Sequence, residues 1–344
     1  MNKDWISFKN DYAEAAHKDV LEAVCQDALA QEPGYGEDSI TTRAVKMIRE
    51  ACGEPNAEVH FIAGGTLTNL VVAAAFLKPY ESIIAAESGH ICLHEAGAIE
   101  MTGHKVHHVP HTDGKISANQ VLNIVATHAD EHMVKPRLVY VSQSTELGTV
   151  YKGAELESLS QVCREHNLLL YVDGARLGSA LMSEGNDLTL KDLARLCDIF
   201  YIGGTKNGAL FGEALVIRDH KPELEFRRHL KQRGALLAKG RVVGAQFAAL
   251  LEDALWLKLA QHANSMAGRL ATGIRQAGYE FAYPPVSNQI FPILPERLVQ
   301  HVEKSFGFYR WGPPKDGKVT IRLVTSWATT AEAVDSFLAG CGEV

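Results

Sequence analysis

From Glu58 onward, short runs of β-branched and aromatic residues alternate with longer segments of helical spacing, and this alternation leaves few folds open to the chain. A strand that returns parallel to itself needs a crossover helix, so repeated units of this kind build a mostly parallel sheet with helices on its faces. Strand-type runs occupy 82–87, 105–110, 138–142, 168–173, 199–203 and 213–218. Helical spacing fills most of the gaps: 66–77 sets Leu67, Leu70, Val71 and Ala74 on one face, and 154–166 and 188–196 are similar. Open sheets of this class bind ligands beyond the carboxyl ends of their strands, so chemistry is expected there.

After about residue 250 the texture changes to a long helical stretch, 248–277, followed by short strand runs at 279–283, 289–294, 306–311 and 319–324. Pro284-Pro285 and Pro313-Pro314 punctuate these runs as turns. The expected organisation of the 344 residues is an N-terminal arm (1–40), a large α/β domain with a mostly parallel sheet (41–250) and a smaller C-terminal α+β domain (251–344). The net charge of -7 contains no long block of one sign, which argues against a nucleic-acid or membrane-surface partner. Met1 to Trp5 lack a signal-peptide profile, and no run approaches the roughly 20 apolar residues of a membrane span, so a cytoplasmic location is expected. The six cysteines lack CxxC spacing, so neither a metal site nor a disulfide framework is indicated.

Three strand ends carry chemistry. Val59-His-Phe-Ile-Ala63-Gly64-Gly65-Thr66 runs from a strand into a helix whose first turn offers free N–H groups to an anion. Leu168 to Asp173 delivers a carboxylate at a strand end, and Ile199 to Gly203 is followed by Gly204-Thr205-Lys206. Taken singly, each has an ordinary explanation: a helix cap, a turn aspartate, a surface lysine. Together and in this order they suggest a site with an anion cradle, a buried acid and an amine. A dinucleotide site would need G-x-G-x-x-G, which Ala63 to Asn69 does not match.

These segments resemble the threonine aldolase and β-eliminating lyase family of pyridoxal 5'-phosphate (PLP) enzymes. The resemblance runs from about residue 8 to 327 and rests on Gly34-Tyr35-Gly36-Glu37-Asp38, Gly64-Gly65-Thr66-Leu67-Thr68-Asn69, His90 with Glu95-Ala96-Gly97, Val172-Asp173-Gly174-Ala175-Arg176, Gly204-Thr205-Lys206 and Arg322-Leu323-Val324-Thr325. It implies the PLP-dependent transferase-like fold type I, as in aspartate aminotransferase. Lys206 would be the Schiff-base lysine, Asp173 the partner of the pyridinium nitrogen, and Gly64, Gly65 and Thr66 the phosphate cradle. His90 would stack on the cofactor ring. Arg176 and Arg322 would bind the substrate carboxylate, with Arg176 also among the cofactor contacts. His132 aligns with a family histidine near the substrate hydroxyl, with His90 or a water as rival bases.

In similar enzymes the basic stretch 227–241 approaches the phosphate of a neighbouring subunit, which here nominates Arg233 or Lys239. Tyr35 would line a partner's active site, so a homodimer or homotetramer with shared sites is expected. Two departures stand out. Asn10 occupies the place of a family serine that meets the substrate carboxylate, and Glu146, after Ser144-Thr145, stands where many relatives have a histidine. The expected activity is aldol cleavage of a β-hydroxy-α-amino acid, L-threonine or L-allo-threonine, to glycine and acetaldehyde. The alternatives are β-elimination, or a phenylserine-type aldolase.

Overall fold

The computed structural model describes residues 5–219 and 225–342. After a short first strand, β1 (Ile6–Ser7), a central sheet is built from β2 (Glu58–Ile62), β3 (Glu81–Ala86), β4 (Val106–Val109), β5 (Lys135–Ser142), β6 (Leu169–Asp173), β7 (Ile199–Gly203) and β8 (Glu213–Ile217). Among the described residues its order is β2-β8-β7-β6-β5-β3-β4. Neighbours are parallel except at β8, which runs antiparallel to both β2 and β7. That reversal matters for the site. It sets the first residue of β8, Glu213, opposite Gly203 and Ile62, at the edge where the parallel strands end.

The inner strands β6, β7 and β8 are buried along their whole length, which is why they are near-continuous apolar runs. Strand alternation divides them between two cores. Leu170, Val172, Phe200 and Ile202 pack on one face beneath the helices Ser39–Cys52, Gly153–Glu165 and Arg241–Leu251. Leu169, Tyr171, Ile199 and Tyr201 pack on the other, against the helix Gly65–Phe76. Tyr140 of β5 belongs to that second face too, so three adjacent strands each place a tyrosine on one side of the sheet. Asp173, two residues beyond Tyr171, is directed to the same side.

The smaller domain contains β9 (Glu280–Phe281), β10 (Gln289–Ile290), β11 (Pro292–Pro295), β12 (Phe306–Gly307), β13 (Tyr309–Arg310) and β14 (Lys318–Val324). β14 pairs antiparallel with β10, β11 and β13. Its core gathers Phe306, Phe308 and Phe337 around Leu270, Ile321 and Leu323. Residues near the N-terminus join it: β1 pairs parallel with β12, and Phe8 is fully buried against Phe306 and Phe337. Lys18–Cys25, by contrast, packs on Arg241–Leu251 of the larger domain. The stretch 1–40 is thus shared between the two bodies within its described part.

The helix expected over 248–277 is interrupted. Arg241–Leu251 and Leu255–Gln276 are separated by a turn in which Asp253 and Ala254 take left-handed backbone, with φ of 48° and 55°. Glu252, Asp253 and Ala254 are exposed, so the apolar pattern carries no trace of the break. Beyond it, Trp256 and Leu259 enter the large core while Ala267, Leu270 and Ile274 enter the small one, so a single helix spans both. No helix among the described residues is long and apolar enough to cross a membrane.

Trp256 also ties the domains to the site. Its indole N–H donates to the Gly203 carbonyl at 2.8 Å, three residues before Lys206. Replacing Trp256 with Phe keeps most of the buried ring but leaves that carbonyl unpaired, so unfolding stability should fall by about 1–3 kcal/mol. Urea titration of the two proteins measures this; equal midpoints and slopes would show that the bond contributes nothing.

Candidate active site

A cavity of about 660 Å³ opens where the strand ends of the central sheet meet the smaller domain. The large domain lines it with Gly64, Gly65, Thr66, His90, Asp173 and Lys206, the small domain with Tyr309, Trp311 and Arg322, and the N-terminal segment with Tyr12. The helix Gly65–Phe76 starts at this cavity with no side-chain cap on its first turn. Its leading N–H groups, with the positive end of the helix dipole, therefore suit an anion.

Asp173 lies at the end of β6 and is 4% exposed. Its Oδ2 accepts from the Tyr140 hydroxyl at 2.6 Å and from Asn69 Nδ2 at 3.1 Å. Its Oδ1 accepts from the Tyr201 hydroxyl at 2.5 Å and the Ala175 N–H at 3.0 Å. Burial alone would raise this carboxyl, but the charge of His90 and the two tyrosine bonds leave it below the ordinary aspartate range. The next position tolerates no side chain: a Cβ on Gly174 would fall 1.6 Å from the Tyr201 carbonyl oxygen. Asn69 also donates to Glu95 Oε1 at 2.7 Å, and Glu95 in turn bonds His90 Nδ1 at 2.7 Å. The histidine ring is thereby tied to Asp173 through two side chains.

Lys206 follows β7 through Gly204, where a Cβ would meet the Gly212 carbonyl at 2.7 Å. Burial strips water from the lysine ammonium and Arg176 repels it, so its amine is held below the ordinary lysine range. Glu213 accepts from the Gly204 N–H at 3.0 Å and the Thr205 hydroxyl at 2.8 Å, and burial pushes its carboxyl up. Arg176 makes a paired contact with Asp11, Nε to Oδ2 at 2.7 Å and Nη2 to Oδ1 at 3.0 Å. Asn288 Nδ2 donates to the same Asp11 at 2.9 Å. Arg322 bonds Gln289 Oε1 and lies over the Trp311 ring at 5.7 Å; burial and repulsion from Arg176 bring its guanidinium down to about 10.

This arrangement can be set beside known proteins. A family model described as beta-eliminating lyase matches residues 12–296. The low specificity L-threonine aldolase of Pseudomonas aeruginosa is 32% identical over 336 residues, covering 94% of this chain and 96% of its own length. The chain belongs to the beta-eliminating lyase family. A solved threonine aldolase of Leishmania major superposes with a TM-score of 0.95 at 46% identity, covering 98% of each chain. An aspartate aminotransferase of Thermus thermophilus, at 15% identity and a TM-score of 0.73 over 98% of this chain and 91% of its own, shares the fold. The expected fold type I architecture, with its smaller second domain, is the one observed.

Within this member of the family, the structure brings together Gly64, Gly65, Thr66, His90, Asp173, Arg176, Lys206 and Arg322. It does not bring His132 to them. That side chain is 86% exposed in a turn just before β5, whereas the cavity lies past the other end of that eight-residue strand, roughly 25 Å away along the chain direction. Asn10 also lies outside the lining: its Oδ1 accepts from the Tyr12 N–H at 3.2 Å, and the neighbours Asp11 and Tyr12 are the ones that reach Arg176 and the cavity. Tyr35, Arg233 and Lys239 are not part of the cavity lining on this chain. The Tyr35 N–H donates to the Ala238 carbonyl at 3.0 Å, Lys231 lies 4.7 Å over the Tyr35 ring, and Arg233 bonds Gln232 at 2.6 Å.

Several groups in or behind the cavity wall have no sequence signal of their own: Tyr140 and Tyr201 look like core residues, and Glu213, Gln289 and Asn288 like strand polars. Period-two alternation does place Tyr171, Tyr201 and Asp173 on one face, which is the trace that was available.

The Asp11–Arg176 pair generates a test. Burial opposes the Asp11 charge, but Arg176 and then Lys206 overcome it and hold the carboxyl below the ordinary range of roughly 3.9. A depressed folded-state value stabilises the protein above that range, and the contribution is lost as pH falls through the folded value. Asp11→Asn should cost about 3–5 kcal/mol at pH 7 by stranding a buried guanidinium. Its stability gap to the unsubstituted protein should narrow as urea unfolding is followed down below about pH 4. A gap independent of pH would show that the charge is not what matters.

Proposed function

We propose that this chain is a PLP-dependent aldolase that cleaves a β-hydroxy-α-amino acid, L-threonine or L-allo-threonine, to glycine and acetaldehyde. The observation that carries this reading is the meeting of an amine, a hydrogen-bonded buried carboxylate and an uncapped helix start in one cavity, in a chain with threonine aldolases among its relatives. The donor set suits PLP. The first turn after Gly64 would hold its phosphate, Lys206 its aldehyde carbon and Asp173 its ring nitrogen.

When bound, PLP supplies a sink for the electron pair freed at the substrate Cα. The protein does the rest. Lys206, favoured in its neutral form by burial, provides the nucleophile and afterwards a group that moves a proton at Cα. Asp173, already anionic and oriented by four donors, keeps a proton at the ring nitrogen. His90, fixed by Glu95, provides a flat surface for the ring. Arg322 orients the substrate carboxylate, while Arg176, with two of its nitrogens already on Asp11, offers a remaining edge. Orientation of the carboxylate decides which Cα bond is broken.

Holoenzyme incubated separately with L-threonine, L-allo-threonine and L-phenylserine should release glycine and the matching aldehyde in equal amounts, and Lys206→Ala should abolish turnover and the visible absorption of bound cofactor. Ammonia with an oxo acid would instead make it a β-eliminating enzyme.

Tyr35, Arg233 and Lys239 serve the cavity of a second copy, in a dimer or tetramer with shared sites. What supports this is that none of the three lines the cavity of its own chain, and that Tyr35 packs against Ala238 and Gly240, on either side of Lys239. Mixing inactive Lys206→Ala protein with a Tyr35→Ala, Arg233→Ala double variant, after dissociation and reassembly, should restore activity beyond that of either alone. Activity that stays at the level of the separate variants would place these residues outside any shared site.

A further inference from the structure

Glu146 stands in the cavity wall, and none of the roles above uses it. It follows β5 by four residues and is pinned there: Oε1 accepts from the Ser142 hydroxyl at 2.7 Å and from the backbone N–H of His90 at 3.0 Å. Ser142 Oγ lies 3.4 Å from the hydroxyl of Tyr140, which donates to Asp173. The carboxyl is thus set beside the histidine expected to flank the cofactor and close to the network beneath it.

Breaking the Cα–Cβ bond of a β-hydroxy amino acid requires a base for the hydroxyl proton. The other carboxylates of the cavity are committed. Asp173 accepts four bonds, and each oxygen of Glu213 is taken by the Gly204–Thr205 segment. The His90 ring is bonded to Glu95 through Nδ1, and His132 lies before the opposite end of β5. Resting on the aldolase reading above, the geometry points to Glu146 as the catalytic base for the substrate hydroxyl. Its carboxylate takes the hydroxyl proton as the O–H electron pair becomes the second C–O bond of the aldehyde. The Cα–Cβ pair stays with the glycine fragment, which regains a proton at Cα, and Glu146 returns its own proton to solvent. No oxidant or reductant enters.

The electrostatics agree. Burial and then the Asp173 charge hold the Glu146 carboxyl above the ordinary glutamate range, against the Ser142 bond and the charge of His90. Arg176, Cys92, Tyr140 and Tyr151 also share its field. A carboxylate with raised proton affinity is a better acceptor from a hydroxyl. It must be ionised to act, so cleavage should rise with pH along a limb lying above the ordinary glutamate range.

Holoenzyme carrying Glu146→Gln tests the assignment. Cleavage should fall about 100-fold or more and lose that limb. Exchange of the α-hydrogen of glycine for deuterium, followed by NMR in D2O, has no hydroxyl proton to remove and should stay within about threefold, as should cofactor affinity measured by titrating the apoprotein. Cleavage retained within about threefold, or cleavage and exchange lost together, would overturn it. If Glu146→Gln does not hold cofactor, Glu146→Asp is read instead: cleavage reduced with exchange intact supports the role, and parallel loss or no loss refutes it. An unsubstituted enzyme that cleaves no β-hydroxy amino acid would overturn the aldolase reading and this inference with it.

Discussion

A carboxylate buried away from water must be met by donors, and Asp173 sets the terms for the surrounding structure. Its four donors come from β5, β7, the helix Gly65–Phe76 and the turn after β6. Each is held by packing of its own element, so the register of three adjacent strands and the seating of one helix are all read out at two oxygen atoms. The tyrosines gain nothing by ionising there: burial and the Asp173 charge push both hydroxyls far up, so they remain donors. Shifting any one strand by a residue would turn its tyrosine to the opposite face and strand the charge.

Charge balance extends that constraint outward. Lys206, Arg176 and Arg322 share a small volume, and Lys206 and Arg322 are held below their ordinary proton affinities by burial and by repulsion from Arg176. Asp11 relieves part of the repulsion by pairing with Arg176. The reversed strand β8 adds Glu213 at the rim, beside the lysine segment.

Much of this was legible in the sequence because strand ends deliver residues in a fixed order. The runs ending at Asp173 and Gly203 close within a residue of their expected limits, and the Gly64-Gly65-Thr66 turn opens its helix as its residues suggested. What stayed hidden depends on direction or on distance along the chain. Nothing in Glu213 to Ile217 says that this strand runs backwards, so Glu213 looks like the entry to one more parallel strand. His132 was drawn in by alignment with a motif, yet the strand after it carries the chain away from its position to the site. Asp11 finds Arg176 only because Phe8 is anchored in the small-domain core, a contact with no local periodicity.

That anchoring has a consequence for how the molecule is made. Asp11 is separated from Arg176 by 165 residues and from Asn288 by 277, and β1 pairs with a strand that begins at Phe306. During synthesis the βα units of the central sheet can collapse one after another as they emerge, but the segment around Phe8 has no partner until nearly all of the chain is available. Loop closure over such separations is entropically slow, so the amino-terminal segment is among the last pieces to dock. The newborn protein would thus pass through a stage with its central sheet formed and its pocket still open on one side.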